Sequence, residues 1–182
     1  NAWEQSALLT ALEGTTGSNV GTGVFPNFIT NTAQIVDLID GKDNVVSGIT
    51  VSGTLGAGGT LQPGDTVANV TNLNLIDGYG QATDILPVGA TLSNIQKLSL
   101  LTNGNAGDFY GTGAWFNTTH ISNLQTVSVS SEGNGIDMVQ AAANTDVTVV
   151  HDNSGSGSGS SDSSSYGGGV EVIGGNDITV SN

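Results

Sequence analysis

Asn94-Ile95-Gln96-Lys97-Leu98-Ser99-Leu100 reads asparagine, aliphatic, two polar residues, then an aliphatic–polar–aliphatic alternation. The same order stands upstream as Asn69-Val70-Thr71-Asn72-Leu73-Asn74-Leu75 and downstream as Asn123-Leu124-Gln125-Thr126-Val127-Ser128-Val129. Each stretch reaches a glycine within a few residues: Gly78, Gly104 and Gly133. The copies begin 25 and 29 residues apart (94 − 69 and 123 − 94). Alternation with a period of two describes a strand with one buried face. Recurrence at this interval describes supersecondary units that stack on their neighbours to share a core. The expected fold is mainly β: an irregular β-solenoid or a β-sandwich-like stack, with a short N-terminal helix.

Composition agrees with that expectation. The chain has 182 residues, enough for one domain or two small ones with a real core. It carries 28 glycines and only 5% aromatics, and 36% of its residues are hydrophobic. Such a chain builds strands and turns around a thin aliphatic core. Its 16 acidic residues face two lysines, Lys42 and Lys97, and no arginine. Nucleic acid is excluded as a partner, because affinity for it depends on cationic side chains at phosphates. Anionic membrane surfaces are disfavoured on the same ground. No stretch approaches the ~18 apolar residues that a membrane span requires, so no membrane insertion is expected. Copies of this chain repel one another at low ionic strength. Divalent cations would relieve the repulsion, since carboxylates and carbonyls are the hard ligands that Ca²⁺ prefers. Cysteine is absent, so disulfides contribute nothing. The first residue is Asn and no leader is visible, which fits a mature or excised piece of a longer exported protein.

Working outward from the repeats, Asn1-Ala2-Trp3-Glu4 has the form of a capping box, and an amphipathic helix is expected over residues 1–14, ending at Gly14. Residues 15–152 form the β-rich repeat core. Within it, Ala33–Ile39 is an aliphatic run ending in Ile39-Asp40-Gly41, the same ending as Ile76-Asp77-Gly78, and so a degenerate further copy. Strands are expected within Val45–Leu55 and at Asp84–Val88, Thr126–Ser130, Val147–Val150, Val170–Ile173 and Asp177–Val180, with a single helical turn at Met138–Ala143. Residues 153–169 have the Gly/Ser composition of a surface loop or hinge. Residues 170–182 then supply C-terminal strands that pack on the core or on a neighbouring subunit.

At the Asn-aliphatic-x-x-aliphatic-x-aliphatic stretches, over roughly residues 31–150, the chain resembles the β-solenoid regions of bacterial surface-layer proteins and of large secreted adhesins related to repeats-in-toxin proteins. A local motif, Gly133-Asn134-Gly135-Ile136-Asp137-Met138-Val139, is similar to part of their Ca²⁺-binding nonapeptide, with Glu132 in place of the first glycine. The resemblance implies secretion, Ca²⁺ binding and assembly into lattices, fibres or stalks. In a regular roll each ion lies between successive turns, and one copy provides half a site. Irregular Ca²⁺ sites are therefore the expectation, at most.

Candidate metal ligands are Asp40, Asp43, Asp77, Glu132, Asp137 and Asp152, all in or beside turns where carbonyls and carboxylates converge. The competing explanation is that Asp and Asn cap turns throughout β proteins. Tyr110, Trp115 and Phe116 form an aromatic cluster in a Gly-rich loop, suited either to stacking on a sugar or to plugging the core or a subunit contact. The second use is favoured, because aromatics are scarce here. His120 and His151 are the only histidines, and neither has a recognisable partner for nucleophilic catalysis. No carboxylate pair stands out for glycoside hydrolysis. Ice binding ranks low, because the repeat interval varies and Thr-x-Thr regularity is missing. The expected function is thus not enzymatic. It is an extracellular structural protein of the bacterial cell surface, assembling with itself into a surface layer or filament with help from Ca²⁺. The alternative is a glycan-binding module of a large adhesin, with cell-surface polysaccharide as its partner.

Overall fold

The structure, a computed structural model, describes residues 27–30, 35–39, 41–77, 83–107, 113–133, 135–152 and 169–181. The expected N-terminal helix and nearly all of the Gly/Ser stretch lie outside them. What is described is mainly β, without a helix, and every strand pair is parallel.

The largest sheet follows chain order. β1 (Asn27–Thr30) and β2 (Ile35–Asp37) both pair with β3 (Asp43–Leu55), one along each half of it. β4 (Thr66–Asp77), β6 (Thr91–Thr102), β9 (Thr126–Ser131), β11 (Asp146–His151) and β13 (Ile178–Ser181) follow side by side. Parallel neighbours cannot be joined by a tight hairpin and need a longer crossover. The crossovers here carry strands of their own. β5 (Thr83–Asp84) pairs with β7 (Asn105–Ala106), and β8 (Phe116–Asn117), β10 (Ile136–Gln140) and β12 (Gly169–Ile173) make a third sheet in the order β12-β10-β8.

Register turns the alternation of the sequence into columns of buried side chains. Val51, Leu73, Leu98, Val127 and Val147 stand opposite one another on five successive strands, and Ile178 on β13 continues the column. Gly53, Leu75, Leu100, Val129, Val149 and Val180 form the next one. Every residue of these columns from β3 to β11 is buried. A fully buried Val or Leu contributes about 1.5–3 kcal/mol, so these columns are the main source of stability.

The three repeat asparagines share a conformation. Asn69, Asn94 and Asn123 have φ of 56°, 51° and 60°. They are the only non-glycine residues at positive φ among the described residues. Asn tolerates this left-handed region better than most side chains. Its amide also does a second job: Asn94 Nδ2 donates to Asn69 Oδ1 at 2.7 Å, and Asn123 Nδ2 donates to Asn94 Oδ1 at 2.8 Å. The conserved first letter of each copy is thus a corner residue in a side-chain ladder, which locks register between adjacent strands.

Two sequence expectations need correction. Met138–Ala143 is not a helical turn, because Met138 and Val139 lie within β10 and pair with β12. Ordered strand over Asp84–Val88 stops at Asp84, where Pro87 and Gly89 impose a turn. The Ala33–Ile39 run contributes β2, which lies beside β3 with Val36 opposite Val51, and β3 in turn lies beside the Asn69–Leu75 copy. The C-terminal strands pack within the molecule, β12 on β10 and β13 on β11. Gly174 makes their connection possible: its φ is +81°, and a Cβ there would lie 2.0 Å from the Ala141 carbonyl oxygen.

Asn94→Ala is expected to lower unfolding free energy by about 2 kcal/mol, from the left-handed backbone cost and two lost amide bonds. Asn94→Gly keeps the backbone conformation and should lose roughly half as much. Urea denaturation of the two variants checks this, and equal losses would argue against a conformational role.

Candidate functional site

The alternation that buries Val127 and Val129 continues to Ser131, and the one that buries Val147 and Val149 continues to His151. Both polar side chains therefore point inward. The column they belong to changes character along the sheet. Leu55 on β3 faces Asp77 on β4, whereas Thr102 on β6 faces Ser131 on β9, and Ser131 faces His151 on β11. Ser131, His151 and the Asp137 supplied by β10 are all essentially inaccessible to solvent.

Asp137 organises this cluster. Its Oδ1 accepts the Ala106 N–H at 2.8 Å. Its Oδ2 accepts the Ser131 hydroxyl at 2.5 Å and the Nδ1–H of His151 at 2.9 Å. Donation to the carboxylate assigns the imidazole proton to Nδ1. A buried carboxylate is costly unless it is paired and hydrogen-bonded, and this one meets both conditions. The result is a polar bolt through four elements: β7, β9, β10 and β11.

Serine, histidine and aspartate together raise the question of nucleophilic catalysis, and the geometry answers it. A working relay places the carboxylate at one imidazole nitrogen and the serine at the other. Here Ser131 Oγ lies 3.2 Å from Nδ1, the same nitrogen that meets Asp137. His151 Nε2 is buried with no hydrogen-bond partner among the described residues. The Ser131 hydroxyl donates to the carboxylate, and all three side chains are closed to solvent, an arrangement that suits a structural joint.

The other candidate residues occupy separate turns and strand ends, with Glu132 and Asp152 at neighbouring ends. Asp43 is buried, with Oδ2 accepting the Ile39 N–H at 2.9 Å. Its own N–H donates to Asp65 Oδ1 at 2.9 Å, and Asp65 Oδ2 takes the Gln62 N–H at 2.6 Å. Sequence reasoning passed over Asp65, although Pro63-Gly64 marked the turn that it closes. Asp77 is buried, Glu132 and Asp152 are exposed, and Asp40 lies outside the described residues. Glu132 and Asp152 follow directly on the paired ends of β9 and β11. No group of three or more acidic or histidine side chains among the described residues is placed to hold a metal.

The glycine motif around Asp137 has a packing explanation. A Cβ on Gly133 would stand 2.5 Å from both Asn105 Oδ1 and the Gly104 carbonyl oxygen, so glycine there admits the neighbouring chain. Both Asp137 oxygens are engaged within the protein. Of the aromatic cluster, Phe116 is fully buried in the core, Trp115 is half-buried, and Tyr110 lies outside the described residues. The Phe116 ring is thus closed to a sugar.

Comparison with protein-family models, curated proteins and solved structures gives no match.

Removing one partner of a buried pair leaves the other uncompensated. Asp137→Ala is expected to cost roughly 3–5 kcal/mol in unfolding free energy. Exposed Glu132→Ala should change it by less than about 0.5 kcal/mol. Parallel denaturant melts check both, and a mild Asp137→Ala would remove the joint's structural role.

Proposed function

We propose that the chain is an irregular β-solenoid subunit of an extracellular assembly, a surface layer or cell-surface filament, whose copies stack end on end. The observation that carries this reading is the uncovered core at β13. Ile178 and Val180 occupy the two apolar columns that are sealed on every inner strand, yet they are 48% and 49% exposed. Ile173, at the end of β12, is 46% exposed in the same terminal layer. Among the described strands, β13 pairs only with β11 and β12 only with β10. Both sheets thus present unpaired edges and open apolar columns together.

Energetics favour continuation of the stack. Covering the exposed halves of Ile178 and Val180 would contribute roughly 2 kcal/mol in total. A further parallel strand would also satisfy edge N–H and C=O groups, which otherwise template pairing with another chain. Repetitive architectures need polar caps to stay apart, and β13, the last described strand, carries the apolar columns onward instead of closing them.

Net charge of −14 opposes this association. Ca²⁺ is proposed as the counterion, acting at exposed acids such as Glu132 and Asp152 where their strand ends adjoin. Buried Asp137 would take no part.

Electron microscopy of the purified protein with millimolar Ca²⁺, and in parallel with chelator, tests the proposal. Ordered filaments or lattices that disperse on chelation are expected. Assemblies indifferent to chelator would remove the metal from the mechanism and leave the stacking. The double variant Ile178→Lys/Val180→Lys should remain monomeric, and filaments from it would refute growth through this end.

A further inference from the structure

The outward face of the large sheet differs from the rest of this acidic molecule. Between the buried columns, Ser52, Asn74, Ser99, Ser128, Thr148 and Thr179 stand opposite one another from β3 to β13. All six are uncharged and short. The adjacent outward row holds Ile76 on β4, Leu101 on β6 and Val150 on β11, at 48%, 52% and 42% exposure. Ser130 on β9 fills the position between Leu101 and Val150. No charged residue occurs in either row from β3 to β13. Charge returns at the margins: Asp37 on β2, Lys97 and Asp146 in the third outward row, and Glu132 and Asp152 just past the ends of β9 and β11.

The outward face, third row included, is also pre-ordered. Ser99 Oγ donates to Asn74 Oδ1 at 2.7 Å, and Asn72 Nδ2 donates to Thr50 Oγ1 at 3.1 Å. Cross-strand side-chain ladders of this kind resist sheet twist. The interval between sequence copies varies, but that variation falls in the crossovers, and the strands themselves remain in register.

We propose that this face is a lateral contact between copies of the chain, meeting face to face, and that it joins stacks into a ribbon or sheet. The inference rests on the end-on stacking reading. Charge selects the occupant: between two copies of net charge −14, contact costs least where both surfaces are neutral. The exposed aliphatic row supplies the apolar centre, and the hydroxyl row supplies hydrogen bonds at its border. No aromatic side chain lies in either row, so the stacking platform expected for a sugar is missing from this face.

Size sets the order of events. Two rows about 6.7 Å wide across six strands about 4.8 Å apart give roughly 400 Å² per copy. A single pair would bury about 800 Å², below the ~1,200 Å² of a stable complex. Repetition along a stack multiplies the contact. Lateral association therefore follows stacking and does not precede it.

Negative-stain microscopy of the wild-type chain, Leu101→Glu/Val150→Glu and Val88→Glu decides the matter. Val88 is 89% exposed and lies off the sheet, so its variant controls for added charge. Ribbons or sheets from wild type and Val88→Glu, with single-width filaments from Leu101→Glu/Val150→Glu, are the expected result. Circular dichroism melts matched to wild type confirm that the face variant is folded. Single-width filaments from all three proteins would overturn the lateral contact and leave stacking intact. If the wild-type protein then shaped growing ice crystals, the neutral rows would be assigned to ordered water instead. Monomers throughout would overturn the stacking reading and this one together.

Discussion

Strand register is the constraint from which the rest of this molecule follows. A one-residue slip in any strand of the large sheet would exchange its buried and exposed faces, placing Ser99 in the core and Leu98 in water. Hydrophobic pattern alone opposes such a slip, and the asparagine corners oppose it again. Asn69 within β4, Asn94 within β6 and Asn123 ahead of β9 combine a left-handed backbone with a hydrogen-bonded amide ladder, so each strand is fixed at one point relative to its neighbour. Buried columns, outward rows and the polar joint at the strand ends all inherit their alignment from that point.

The joint shows how the fold treats polar chemistry. Asp137, His151 and Ser131 are the residue types of a reactive centre, yet the Ser131 hydroxyl and His151 Nδ1 both meet the one Asp137 oxygen. One carboxylate holds the ends of β9 and β11 to the crossover strands β7 and β10. A polar cluster of this kind adds directional demands that an aliphatic column lacks. It lies where the inward column changes from Leu55 to hydroxyl, carboxyl and imidazole groups, near the end of the strands.

Much of the strand content was legible in the sequence because one buried sheet face imposes a period-two alternation. The three Asn-led copies located β4, β6 and β9, and the period-two runs located β11, β12 and β13. β3 was expected as strand within Val45–Leu55 but not as a copy of the repeat, because it carries Gly48 and Gly53 where the other copies have aliphatic residues, and Ser47 precedes Gly48 where asparagine leads the other copies. Met138–Ala143 read as helical because Met and Ala favour helices, whereas pairing with β12 decides otherwise. Site chemistry was far less legible. Asp137 drew notice for its glycine neighbours, while its actual partners stand 6 and 14 residues away across strand pairs. Carrying the alternation two residues further, to Ser131 and His151, was the available clue. Of the carboxylates chosen for turn context, Asp43 accepts the Ile39 N–H, a reminder that turn context reports backbone capping as readily as ligation.

The crossovers give the molecule an evolutionary property distinct from its stability. Units 25 and 29 residues apart occupy equivalent places in one ladder, so the sheet counts strands and ignores the chain spent between them. Loop closure grows only logarithmically with length. Insertions and deletions can therefore accumulate in these segments at little thermodynamic cost, while a single residue gained inside β4 or β6 would scramble the lattice of contacts. Lineages of such a chain would be expected to diverge in length faster than in architecture, with new loops displayed at fixed heights along an unchanged scaffold.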